Sequence, residues 1–135
     1  MIGIIDTSAV IRLFIDDGPI PDGLEKFLTE VERGNAIALA PELMLFEAAN
    51  VLYKKMLRGE LTSEEAKSLL DEITRLPIRR EGHVPIIQRS FAIAENTNLT
   101  VYDSLFLVLA EYRNGVLFTG DNKLLQAAKD LGLAP

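Results

Sequence analysis

Short runs that are apolar at every position alternate along this chain with longer stretches in which apolar residues recur every three or four. Met1-Ile2-Gly3-Ile4-Ile5 ends on Asp6 and reads as a buried strand over residues 2–6, followed by a helix from about Ser8. Pro19 and Pro21 break the chain, and residues 22–33 carry Leu24, Phe27, Leu28 and Val31 at helical spacing. Gly34 is a helix stop, and Ala36 to Leu39 is a short buried strand. Pro41 suits the first turn of a long helix that runs to about Arg58 and ends at Gly59. Thr62-Ser63-Glu64-Glu65 has the spacing of a capping box, so a further helix starts there and reaches about Arg75, before Pro77. Residues 84–96 and 102–113 read as two more helices, Val116 to Thr119 as a strand, and 122–130 as a last helix. Strands without a polar face, alternating with helices, belong in a parallel sheet covered on both sides. The pattern therefore predicts a three-layer α/β/α fold around a mostly parallel sheet of four or five strands, as one domain over residues 1–135. Because the chain stops at Pro135, a last edge strand is expected to be very short or missing.

Composition narrows the class. A length of 135 residues with 48% hydrophobic and 25% charged residues is that of a single globular domain with a real core. No apolar run approaches the ~20 residues of a membrane span, and Asp6 interrupts the N-terminus before a secretory signal forms. A cytoplasmic protein with no membrane association is expected. Cysteine is absent, which removes disulfides, thiolate metal sites and cysteine nucleophiles together. The net charge of −6 argues against a module that simply coats phosphates. It argues less against a metalloenzyme, since bound cations supply local positive charge.

Four acids change the picture most. Asp6 closes the first apolar run, and Asp121 follows Val116-Leu117-Phe118-Thr119-Gly120. Glu47 lies within Leu45-Phe46-Glu47-Ala48-Ala49, and Asp103 opens Ser104-Leu105-Phe106-Leu107-Val108-Leu109-Ala110. A carboxylate carried into apolar surroundings costs several kcal/mol unless it is paired, protonated or metal-bound. Four of them point to a shared cation held by oxygen ligands. Asp6 and Asp121 fall at the carboxyl ends of strands, where open α/β sheets form their ligand crevice.

Each acid also has a plainer reading. Asp6 caps a following helix well, Asp121 can start one, and Thr100-Val101-Tyr102-Asp103 fits a capping box. Glu47 is harder to dismiss, because Leu43, Met44 and Val51 put it on an apolar side of its helix. Asn50 at i+3 is a candidate to orient it, and Lys54 and Arg58 further along the same face are either candidate contacts for a phosphate backbone or a solvated helix end. His83, the single histidine, sits in a loop with no metal or triad motif around it. No G-x-S-x-G elbow, P-loop or G-x-G-x-x-G occurs. A haloacid-dehalogenase phosphatase needs an acid where Ser8 stands, and a receiver domain needs a paired acid beside Asp6.

Ile4-Ile5-Asp6-Thr7-Ser8, the Glu47 helix Leu45-Phe46-Glu47-Ala48-Ala49-Asn50-Val51-Leu52, Tyr102-Asp103-Ser104-Leu105 and Phe118-Thr119-Gly120-Asp121 together resemble a PIN domain. Each motif is short, but the four in this order are specific, and the small single-domain form is most similar to the VapC-type toxins of toxin–antitoxin pairs. The resemblance implies a Mg²⁺- or Mn²⁺-dependent endoribonuclease with Asp6, Glu47, Asp103 and Asp121 as catalytic and metal residues. It implies Thr7, Ser8 and Thr119 as supports, a homodimer, and a small antitoxin partner that wraps onto the chain. Asn122 departs from relatives that carry a further acid after the last aspartate. The competing expectation is a catalytically degenerate PIN-fold protein that acts through protein–protein interaction.

Overall fold

The computed structural model describes all of residues 1–135. Four strands, β1 (Ile2–Ile5), β2 (Ile37–Pro41), β3 (Ile78–Glu81) and β4 (Val116–Phe118), form one sheet in the order β3-β2-β1-β4. Every neighbouring pair is parallel. Seven helices cover it: α1 (Thr7–Arg12), α2 (Leu24–Glu32), α3 (Leu43–Leu57), α4 (Ser63–Thr74), α5 (Ile87–Thr97), α6 (Val101–Tyr112) and α7 (Asn122–Asp130). This is the expected three-layer α/β/α arrangement. The strands step outward from β1 to β2 to β3, and the chain then crosses back to lay β4 on the other side of β1. The strand order therefore reverses between β1 and β4, and a crevice opens beyond their carboxyl ends.

Why α6 reads as one long apolar run is evident from its position. It packs on β1, β2 and β4 as well as on α5 and α7, and every residue from Ser104 to Ala110 is buried. A helix enclosed on most sides has no polar face to show. At the heart of the sheet Phe27 and Phe118 stack with ring centroids 4.9 Å apart. Gly3 of β1 makes room for them, since a Cβ there would stand 2.5 Å from the Phe27 ring and 2.9 Å from Phe118.

Three elements differ from the sequence expectation. β3 was not foreseen: Ile78-Arg79-Arg80-Glu81 has one apolar residue and follows Pro77, so it lacks the signature of a buried strand. It is an edge strand, with Arg79 and Arg80 exposed, where charged side chains discourage pairing with another chain. Pro41 ends β2, opposite Glu81, rather than opening a helix. The helix starts two residues later, with Glu42 as an N-cap that makes no side-chain capping bond. The helix expected over 84–96 opens with a 3₁₀ turn over Val84–Ile86 and becomes α-helical only at Ile87; elsewhere the expected boundaries hold within about two residues. Thr62 and Glu65 exchange both bonds of a capping box, at 3.1 and 3.0 Å.

Candidate functional site

Asp6 follows β1 directly, and its backbone N–H extends the ladder by donating to the Phe118 carbonyl at 3.1 Å. Its side chain is buried and receives three hydrogen bonds: Ser8 Oγ at 2.7 Å and the Ala9 N–H at 3.0 Å on Oδ1, and Thr119 Oγ1 at 2.6 Å on Oδ2. Capping and enclosure thus coexist at this residue. Ser8 Oγ in turn accepts the Gly120 N–H at 2.9 Å, and Thr119 Oγ1 accepts the Asp121 N–H at 3.0 Å. The two hydroxyls hold the turn after β4 against the start of α1.

The other three acids approach from separate elements. Glu47, in the second turn of α3, is half-buried and accepts a 2.8 Å hydrogen bond from Thr7 Oγ1. Asp103 lies in the first turn of α6, whose N-cap Thr100 accepts the Asp103 N–H at 3.0 Å; the reverse bond of a capping box does not form. Asp121 caps α7 through the Leu124 N–H at 2.9 Å and stands exposed at the rim. All four line one cleft of about 280 Å³, with Thr7, Ser8, Ile11, Arg12, Asp17, Val51 and Phe106.

The electrostatics of this cleft are unbalanced. None of the six ion pairs in the protein involves Asp6, Glu47, Asp103 or Asp121. Burial raises the pKa of Asp6 most, against the lowering effect of its three hydrogen bonds, and the charge of Asp103 raises it further. Glu47 is raised by burial first and then by Asp103 and Asp6, with the Thr7 hydrogen bond opposing. Asp103 is raised by burial and by Asp121, with Thr100 and Lys123 opposing. Each carboxylate makes its neighbours harder to ionise, which is the field a bound cation relieves.

The donor set contains only oxygen, which suits a hard divalent ion. No three acidic side chains already stand in a geometry that encloses an ion. A cleft with this volume instead fits an ion that keeps several of its waters and takes one or two carboxylates directly, the habit of Mg²⁺.

One expected support, Asn50, and the two expected phosphate contacts, Lys54 and Arg58, lie outside the cleft. Asn50 is exposed and outside the cleft; Thr7 is the residue bonded to Glu47. Lys54 and Arg58 are also exposed and do not line the cleft, and Arg58 pairs with Glu60 at 2.9 Å. The buried stripe of α3 is Met44, Ala48, Leu52 and Lys55. Glu47 thus lies at the stripe's margin rather than its centre, and the residues seven and eleven positions on project to solvent. Sequence reasoning also missed Arg12, Asp17 and Lys55. The signals were a lone arginine inside Ala9-Val10-Ile11-Arg12-Leu13-Phe14-Ile15 and a lysine in register with Ala48 and Leu52.

Comparison with known proteins follows the same lines. The family profile described as "PIN domain" matches residues 3–130. Ribonuclease VapC3 of Pyrobaculum aerophilum is 27% identical over 125 residues, covering 91% of this chain and 92% of that protein. Ribonuclease VapC1 of Mycobacterium tuberculosis is 30% identical over 125 residues, covering 92% and 89%. Among solved structures, PAE2754 from Pyrobaculum aerophilum superposes with a TM-score of 0.74 at 22% identity, over 98% of this chain and 87% of that one, a likeness of fold. With a profile that spans nearly the whole chain and full-length relatives named VapC, this protein belongs to the PIN-domain family.

Proposed function

We propose that the protein is a Mg²⁺- or Mn²⁺-dependent endoribonuclease and the toxin of a VapBC-type toxin–antitoxin pair. The observation that carries this reading is the meeting of four acids, distant in sequence and none of them in an ion pair, in one cleft at the point where the strand order reverses. The relatives named as ribonucleases support the choice of RNA as substrate.

Asp6 and Asp103 are the central ligands in this reading, and Glu47 and Asp121 are outer ligands or act through water. Bound there, a divalent ion supplies a water of lowered pKa and stabilises charge that builds on the leaving oxygen. The chain does the positioning. Ser8, Thr119 and the Ala9 N–H fix the Asp6 carboxylate and leave part of its acceptor capacity unused. Thr7 holds Glu47, so that the two acids approach from β1 and α3 with defined orientation. The raised pKa values reflect burial and mutual repulsion among these carboxylates, which a bound cation would offset.

Two partners complete the reading: a small antitoxin, and a second copy of the chain in a cytoplasmic homodimer. Phe46, Tyr53 and Leu57 form an exposed apolar face on α3, 74%, 54% and 65% accessible, which fits such a contact. The apolar residues of α4 do not contribute, because Ala66 and Ile73 are buried and Leu69 and Leu70 pack on the core. A monomer in equilibrium sedimentation would remove the dimer from this reading. The deciding experiment is RNA cleavage by wild type and Asp103→Asn, with Mg²⁺ or Mn²⁺ and with chelator. Cleavage is expected only in wild type with metal, while both proteins keep the same circular dichroism. Turnover that survives chelation or the substitution would refute the assignment and favour a degenerate scaffold for protein interaction.

A further inference from the structure

Arg12, the last residue of α1, is the one basic residue that lines the acid cleft. It lies one turn beyond Ser8, on the same side of the helix, so the hydroxyl that steadies Asp6 and this guanidinium face the cleft together. Its surroundings are specific. A Cβ on Gly120 would stand 2.2 Å from Arg12 Nη1, and one on Gly18 would stand 2.7 Å from its Cζ. Two glycine backbones therefore form a slot that only the absence of side chains keeps open to the guanidinium plane.

Within the slot Arg12 makes one hydrogen bond, from Nη1 to the Pro19 carbonyl at 3.1 Å. It belongs to none of the protein's ion pairs, although five acids line the same cleft. Nor is it among the groups that lower the pKa of Asp6, Glu47 or Asp103; Lys123 has that role for Asp103. Arg12 thus forms no direct pair with any of these acids. A partly buried guanidinium with most of its five N–H donors unused is built to receive a planar, two-oxygen acceptor.

We infer that Arg12 is an anchor for a backbone phosphate of the RNA strand, held in the Gly18–Gly120 slot so that it grips the substrate beside the acids and not the acids themselves. The inference rests on the ribonuclease reading and names how that site holds its substrate. The cleft's acidity favours a polymer phosphate over a free anion: Asp6, Asp17, Glu47, Asp103 and Asp121 repel a small anion, whereas an RNA strand is also held by its neighbouring contacts.

The test is steady-state cleavage of a single-stranded RNA oligonucleotide with saturating Mn²⁺, across a salt series, by wild type, Arg12→Gln, Arg12→Lys and Gly120→Ala. Arg12→Gln is expected to raise KM about tenfold or more, as loss of a charged hydrogen bond does, with kcat changed far less. The slope of log kcat/KM against log salt should fall by about 0.7, one phosphate contact on a single strand. Arg12→Lys should restore the salt slope but not the full affinity, and Gly120→Ala, which pushes the guanidinium from its slot, should do the same. Inorganic phosphate should compete no better against wild type than against Arg12→Gln; selective competition would assign the slot to a free anion instead. Unchanged KM and salt slope in Arg12→Gln, with metal-dependent cleavage intact, would overturn the anchor and leave the ribonuclease reading standing. If Arg12→Gln does not fold, a wild-type KM in both Arg12→Lys and Gly120→Ala overturns it equally. If wild type cleaves no RNA, that reading fails first, and oligonucleotide affinity that Arg12→Gln does not change removes the anchor as well.

Discussion

Asp103 carries a cost that depends on pH. Burial and the charge of Asp121 both raise its pKa above the ordinary 3.8, so the folded protein holds this proton more tightly than the unfolded chain. Where the folded state binds more protons, stability falls as pH rises. The penalty is absent below the unfolded value, grows through the window between it and the raised folded value, and is complete above that. Asn at position 103 has no charge to desolvate and relieves the repulsion felt by Asp6 and Glu47. Metal-free Asp103→Asn is therefore expected to be more stable than wild type at pH 7 to 8, with the gap closing as pH falls toward 4. Urea unfolding at several pH values, in chelator, measures it. A constant gap across that range, or a less stable variant at neutral pH, contradicts this account of the residue.

At the scale of elements, the segment between α1 and α2 is tied to α3 by one part-buried ion pair. Lys55 Nζ meets Asp17 Oδ1 at 2.9 Å, and the lysine side chain is 8% exposed while the aspartate is 44% exposed. The asymmetry sets the outcome of mutation. Asp17→Asn leaves an ammonium buried without its partner and should cost up to about 3 kcal/mol. Lys55→Met fills the same space without charge, and Asp17 turns to solvent, so the loss should stay within about 1 kcal/mol. A denaturant midpoint that falls further for Lys55→Met than for Asp17→Asn would refute this ordering. The pair also marks where reading the sequence stops. The Thr62–Glu65 capping box, α7 and the apolar strands β1 and β4 were legible because local rules decide them. Whether Lys54 or Lys55 turns inward was not, because both adjoin the apolar side of α3, and only packing against α1 and the Asp17 segment chooses between them. The same holds for β3, a strand by virtue of β2 beside it rather than of its own residues.

The whole molecule brings residues 6, 47, 103 and 121 together from β1, α3, α6 and the turn after β4, so the site exists only when the sheet order β3-β2-β1-β4 is complete. That the four acids would meet was readable, since strand ends and helix starts at a parallel sheet share one edge. Their settings were not: the hydroxyl bridge of Ser8 and Thr119 joins residues 111 positions apart, and no local spacing encodes it. A site assembled from the full length of the chain couples occupancy to global folding. A cation that binds only the folded state at a hundredfold its dissociation constant adds about 2.7 kcal/mol, which for a domain of this size raises Tm by roughly 8–16 °C. Mn²⁺ and Mg²⁺ should give that rise in wild type, and Asp103→Asn should lose it even though the substitution stabilises the metal-free protein. The opposite signs separate a ligand role for Asp103 from a merely structural one, because a capping residue or a packing defect would shift both measurements the same way. An equal metal-induced rise in the variant would leave Asp103 outside the coordination, and none in wild type would remove the cation from this cleft.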